Sequence, residues 1–198
     1  MEKVSIIIGL SGSGKSTLAN TLLNTIIPTP WRLEADWGAI NLHNIDNEGN
    51  IEGSFKDDPR FEKTLNNISN GINIILDGAY FCNHKFLCEA EYYLKLNFPN
   101  IKITKYYFEN NPKAASSNVL YREWVGGNYW TNETGELTFH GHHFVDEGEN
   151  KGRRMYEVIL GYINKFSKNY IIPDEYTPIK IQVQDERFNN GWRELIRK

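Results

Sequence analysis

A short apolar run rich in β-branched residues, Val4-Ser5-Ile6-Ile7-Ile8, is cut off by Gly9 and followed by Leu10-Ser11-Gly12-Ser13-Gly14-Lys15-Ser16. The run has the pattern of a strand buried on both faces of a parallel sheet. Beyond it, Leu18, Ala19 and Leu22 fall at helical spacing. The segment between strand and helix matches G-x-x-x-x-G-K-[ST] at every fixed position, and strand, glycine turn, helix is the context that gives this motif its meaning. Glycines let the backbone wrap so that its N–H groups point inward, and the helix that follows presents its positive end to the same anion. The residues of this cradle are Gly12, Ser13, Gly14, Lys15, Ser16 and Thr17. Lys15 places a positive charge on the β- and γ-phosphates of ATP or GTP, and the Ser16 hydroxyl faces Mg²⁺.

Strand and helix signals then alternate. Trp31 to Asp36 reads as a second strand ending in carboxylates, Phe61 to Ser69 as a helix stopped by Asn70-Gly71, and Ile72 to Asp77 as another buried strand. A helix over His84–Leu96, a strand over Ile101–Phe108 and a helix opened by Pro112 and running to about Glu123 follow. Residues 41–60 read as a polar, turn-rich loop, mobile or facing substrate. From Gly126 to Gly152 the pattern gives way to glycines, aromatics and histidines, the character of a lid. A helix over Lys151–Lys168, an alternating strand over Ile179–Gln184 and a short basic C-terminal helix complete the chain. The expectation is an α/β three-layer sandwich of the P-loop NTPase type, with a parallel sheet of about five strands and a long lid insertion.

The 198 residues, 40% of them hydrophobic, suit a single domain spanning 1–198 with the lid at about 124–152. No apolar stretch is long enough for a membrane span, and the N-terminal run lacks the cleavage site of a signal peptide, so a cytoplasmic setting and no membrane partner are expected. A net charge of −3 argues against a protein that coats nucleic acid through bulk positive charge, though not against a local basic groove. Cys82 and Cys88 read as reduced core thiols on a helix.

Phosphoryl transfer asks for an aligned acceptor oxygen, a metal and cations over the γ-phosphate. Asp36, at the end of the second strand, sits on the sheet edge where ligands bind and is the candidate general base; Glu34 is the alternative, and a solvated loop carboxylate the plainer reading. Asp77 closes the third strand where a carboxylate serves Mg²⁺, or caps the next turn. Arg122, and with less weight Arg153-Arg154, are candidate lid cations; solvated surface arginines are the alternative. Trp124, Tyr129, Trp130, Phe139 and Phe144 either stack on a base or form a small satellite core. His140, His142 and His143 lack metal-site spacing, and no metal is expected there.

The cradle after its Ile-Ile-Ile-Gly-Leu strand, the carboxylate near position 36, the aliphatic strand ending in Asp77, and the segment from Phe108-Glu109-Asn110-Asn111-Pro112 to Arg122-Glu123 together resemble the P-loop kinases grouped around polynucleotide kinase, which include gluconate and adenylylsulfate kinases. The resemblance covers about the first 125 residues and is specific at the cradle. It implies Lys15 and Ser16 for ATP and Mg²⁺, Asp36 as general base and Arg122 as a lid arginine. The chain departs from that family in carrying one arginine in Tyr121-Arg122-Glu123-Trp124, where two are usual. It also has Trp37-Gly38-Ala39 after Asp36, where an arginine is common. The aromatics of the long insertion favour a base-containing acceptor, a feature that would suit a related group, the viral kinases that phosphorylate hydroxymethylated pyrimidines within DNA.

Three functions follow. The leading expectation is an ATP-dependent kinase acting on a hydroxyl of a nucleic acid or nucleotide; the others are a small-metabolite kinase with the 41–60 loop as acceptor pocket, and an ATP-hydrolysing switch or adaptor. The chain contains no Asn-Lys-x-Asp guanine signature, which favours ATP.

Overall fold

The computed structural model describes residues 3–34, 45–58, 60–125, 130–131, 137–139, 142–144 and 151–184. Four parallel strands, β1 (Lys3–Ile8), β2 (Trp31–Glu34), β3 (Ile74–Gly78) and β4 (Lys102–Tyr107), form a sheet in the order β2-β3-β1-β4. Between them run α1 (Lys15–Thr25), α2 (Phe61–Ser69) and α3 (His84–Asn97), followed by α4 (Pro112–Val125) and α5 (Lys151–Lys168). Right-handed crossovers in that strand order set α1 on one face and α2 and α3 on the other, which is the three-layer α/β arrangement. Every residue of β3, and all of β1 beyond Lys3, is buried, as strands covered on both faces must be.

Parallel register places the chemistry. Ile7 lies opposite Asp77 and Ile8 opposite Gly78, so the β3 carboxylate stands beside the end of β1 where Gly9 begins. Glu34 lies opposite Asp77 on the other side. Asp36 lies outside the described residues.

Four expectations change. Residues 45–58 are not an open loop. Ile45 and Ile51 bridge, Ser54 and Asp57 form a capping box on a 3₁₀ turn, and Phe55 is buried against Phe61, Phe81 and Phe86. Side chains of Asn83, Lys168 and Asn169 donate to the carbonyls of Gly49, Asn47 and Glu48 and hold the loop to the body. The strand expected over Ile179–Gln184 is reduced to one bridge, Ile179 to Phe108, leaving a four-stranded sheet. The physical reason is that side chains take the later backbone groups: Glu109 accepts from Ile181 N–H, while Asn118 accepts from Gln184 N–H and donates to the Gln182 carbonyl. Finally, the segment expected as a lid contains a small antiparallel sheet, β5 (Trp130–Thr131), β6 (Leu137–Phe139) and β7 (His142–Phe144). Of the cysteines, Cys82 is buried in a 3₁₀ turn before α3, whereas Cys88 is exposed on α3 beside His84, so only the first is a core thiol. The expected C-terminal helix lies outside the described residues. No described helix is long and apolar enough to cross a membrane.

Candidate functional site

The start of α1 differs from the starts of α3 and α4. Asn83 caps α3 by accepting from Phe86 N–H at 3.1 Å, and Asn111 caps α4 by accepting from Ala114 N–H at 3.1 Å. At α1 the cap position is Gly14, with φ of 102°, no side-chain cap and no acidic residue in the first turn. A helix start without a side-chain cap leaves N–H groups and its positive dipole open to an anion, although the Thr17 N–H is already bound to the Gly14 carbonyl. The Ser13 hydroxyl, buried within the same loop, has no hydrogen-bond partner among the described residues.

The loop is shaped from within. Ser13 N–H donates to the Leu10 carbonyl at 3.1 Å, and Lys15 Nζ, although it carries a charge, is buried and donates to the same carbonyl at 3.0 Å. That bond holds the ammonium against the backbone of its own loop. Gly12 has φ of 86°, and a Cβ there would stand 2.2 Å from the Ala115 carbonyl of α4. Glycine at this position thus answers both a left-handed backbone and the close approach of α4. Asn118 of α4 adds a hydrogen bond from Nδ2 to the Gly12 carbonyl at 2.9 Å, so one amide ties the cradle to the 179–184 segment. Tyr170 closes the floor, its hydroxyl donating between the carbonyls of Ile8 and Phe108. Burial pushes its phenol well above the ordinary tyrosine range, a change reinforced by the neighbouring Cys82 and Tyr107 and opposed by its hydrogen bond to Phe108.

Asp77 is nearly fully buried and is bound by an arginine that sequence reasoning passed over. Arg32 of β2 donates from Nε to Oδ1 at 3.1 Å and from Nη2 to Oδ2 at 2.7 Å, and the same Nη2 reaches Ser16 Oγ at 3.0 Å. Ser16 and Asp77 therefore face one small volume beside the loop. Their hydroxyl and carboxylate oxygens are hard donors of the kind Mg²⁺ takes, so the residues present suit the ion expected with ATP. Arg32 leaves no motif because its partner is 45 residues away on a neighbouring strand. Only strand register brings them together.

Thr17 is exposed on the first turn of α1, its N–H bound to the Gly14 carbonyl. Arg122 is exposed on α4. Arg153 and Arg154 lie on α5, and Trp130, Phe139, Phe144, His142 and His143 lie on the small sheet. Asp36, Tyr129 and His140 lie outside the described residues. The structure thus brings together Gly12 to Ser16, Asp77 and Arg32, all on one edge of the sheet.

A scan against protein-family models finds no match, and a search of curated proteins finds none. Among solved structures, the chain is similar to the crystal structure of a gluconokinase from Sinorhizobium meliloti 1021, with 14% identity, a TM-score of 0.41, and coverage of 98% of this chain and 93% of that one. The chemical reading of the site accordingly rests on this chain's own residues.

Proposed function

We propose that the protein is an ATP-dependent phosphotransferase that moves the γ-phosphate to a hydroxyl on a nucleic acid or nucleotide. The observation that carries this reading is the uncapped start of α1, with Lys15 held against its own loop and Asp77 beside Ser16. An acidic first turn would repel a triphosphate and a side-chain cap would occupy its donors; the start of α1 has neither.

In this reading the loop N–H groups and Lys15 hold the β- and γ-phosphates, and Ser16 and Asp77 hold Mg²⁺. Bound there, Mg²⁺ supplies charge neutralisation over the phosphate oxygens. Asp36 takes the proton from the attacking hydroxyl, and Arg122 from the lid helix faces the transferring group. The aromatic residues of the lid favour an acceptor that contains a base.

The test is transfer of label from [γ-³²P]ATP into a mixed panel of oligonucleotides, nucleosides, nucleotides, sugars and sulfate esters, with Lys15→Ala and Asp36→Asn alongside. Label should enter a base-containing acceptor, both substitutions should abolish transfer, and Asp36→Asn should keep its nucleotide affinity. Label entering only sugars or sulfate esters would move the reading to a small-metabolite kinase. Steady hydrolysis with no labelled acceptor would move it to a nucleotide-driven switch.

A further inference from the structure

Ser16 Oγ and both carboxylate oxygens of Asp77 are already engaged by one guanidinium. Arg32 closes a two-point fork on Asp77, and its Nη2 spans from Oδ2 to the Ser16 hydroxyl. The arrangement answers a real difficulty. The Asp77 carboxylate is 1% exposed, and a buried carboxylate without a cation is strongly unfavourable. The fold therefore supplies a cation of its own on β2, with Arg32 itself 19% exposed and so on the solvent side of the pair.

That solution conflicts with the other use of the same oxygens. A divalent ion coordinating Ser16 Oγ at about 2.1 Å would stand within about 5 Å of a positively charged nitrogen, and like charges so close repel strongly where water is scarce. Arginine does not lose its charge, so deprotonation cannot relieve the conflict; the side chain has to move. Arg32 is 19% exposed, so solvent reaches part of the side chain that would move.

We propose that Arg32 is a resident counter-cation that competes with a divalent metal ion for Asp77 and Ser16, so that the metal site forms only when the guanidinium gives up the Ser16 hydroxyl. The proposal rests on the nucleotide-phosphate reading of this loop, and it assigns Arg32 a part in setting how much metal the site needs. Without nucleotide, the wild-type protein binds divalent cations weakly, because the metal must first displace a bound side chain. With Arg32 removed, the buried carboxylate has no cation and takes a metal ion readily.

The experiment measures Mn²⁺ binding to nucleotide-free protein by electron paramagnetic resonance, together with thermal unfolding with and without MgCl₂. Arg32→Met should bind Mn²⁺ at least about tenfold more tightly than wild type, equivalent to about 1.4 kcal/mol. Its unfolding temperature should rise with MgCl₂, while that of wild type stays nearly constant. Arg32→Gln keeps hydrogen-bonding capacity without charge and provides the same test if Arg32→Met does not fold. Adding Asp77→Asn to either variant should remove the gained metal binding. Equal or weaker Mn²⁺ binding by a folded Arg32 variant would overturn the proposal, as would a gain that survives Asp77→Asn. Because these readings need no nucleotide, they are separable from the phosphate reading: failure of Mg·ATP to bind wild type would remove that reading while leaving the metal competition measured.

Discussion

Helices α1 and α3 both begin at the C-terminal edge of the same sheet, yet their first turns are finished in opposite ways. At α3 a single asparagine does two jobs, accepting from Phe86 N–H and donating to the Gly49 carbonyl, so the helix end is closed by the protein itself. At α1 a glycine in left-handed conformation stands where the cap would be, with no side-chain cap, and the first helical residue is Lys15. A closed end adds stability and has nothing left for a ligand. An open end forgoes that stability and keeps its donors free for an anion.

The comparison breaks most severely at the glycine that shapes the open end. Gly12→Ala sets a Cβ against the Ala115 carbonyl at a residue already at φ of 86°, so it should cost about 3 kcal/mol or more in urea unfolding and abolish Mg·ATP binding in calorimetry. Gly71→Ala is the control: φ is 76° but nothing lies within 4 Å, so only the left-handed backbone penalty of about 1–2 kcal/mol should appear, with nucleotide binding intact. Gly12→Ala no worse than Gly71→Ala would remove the claim that α4 shapes the loop.

Closing the open end with charge should weaken it next. Thr17→Glu puts a carboxylate into the first turn of α1, and the Kd for Mg·ATP should rise about tenfold or more with little change in stability. Opening the closed end gives the converse. Asn83→Ala should lose about 1–2 kcal/mol of stability while the affinity for Mg·ATP stays at the wild-type value. If both substitutions changed affinity alike, the two helix ends would not differ in function.

The smallest effect concerns the floor under the cradle. Tyr170 and Tyr107 are held above the ordinary tyrosine range chiefly by burial, so in the folded state the neutral phenols persist where unfolded tyrosines ionise. Their contribution is complete below about pH 10 and is lost as pH rises beyond it, because the unfolded chain then releases protons that the fold retains. Urea midpoints should fall above about pH 10, and Tyr170→Phe should flatten that fall.

Much of this edge was legible because it is written locally. The β-branched run, the spaced glycines and the apolar residues at Leu18, Ala19 and Leu22 sit next to one another, and Asp77 closes an aliphatic run of its own. Asn111-Pro112 announced α4 for the same reason, an asparagine cap followed by a proline at the first helical position. What was missed depends on residues far apart in the chain. Phe55 sits alone among Ser54, Lys56, Asp57 and Asp58 with no period to mark it, yet it lies 5.9 Å from the ring of Phe86. Arg32 reads as one charged residue in a short strand until β2 is laid beside β3. Asn118 is a polar residue on a helix whose three backbone partners belong to Gly12, Gln182 and Gln184. The alternation over Ile179–Gln184 is genuine, but alternation records only which side chains share a face. It could not reveal that Glu109 and Asn118 would take the N–H groups a strand needs.

The central claim is that the open start of α1 is a triphosphate site. Titration calorimetry of Mg·ATP into the folded wild-type protein, with Lys15→Ala as comparison, tests it most directly. The account predicts saturable heat with one nucleotide per chain for wild type and none for Lys15→Ala of unchanged circular dichroism. Absence of heat from folded wild type, or equal uptake by both proteins, would contradict it.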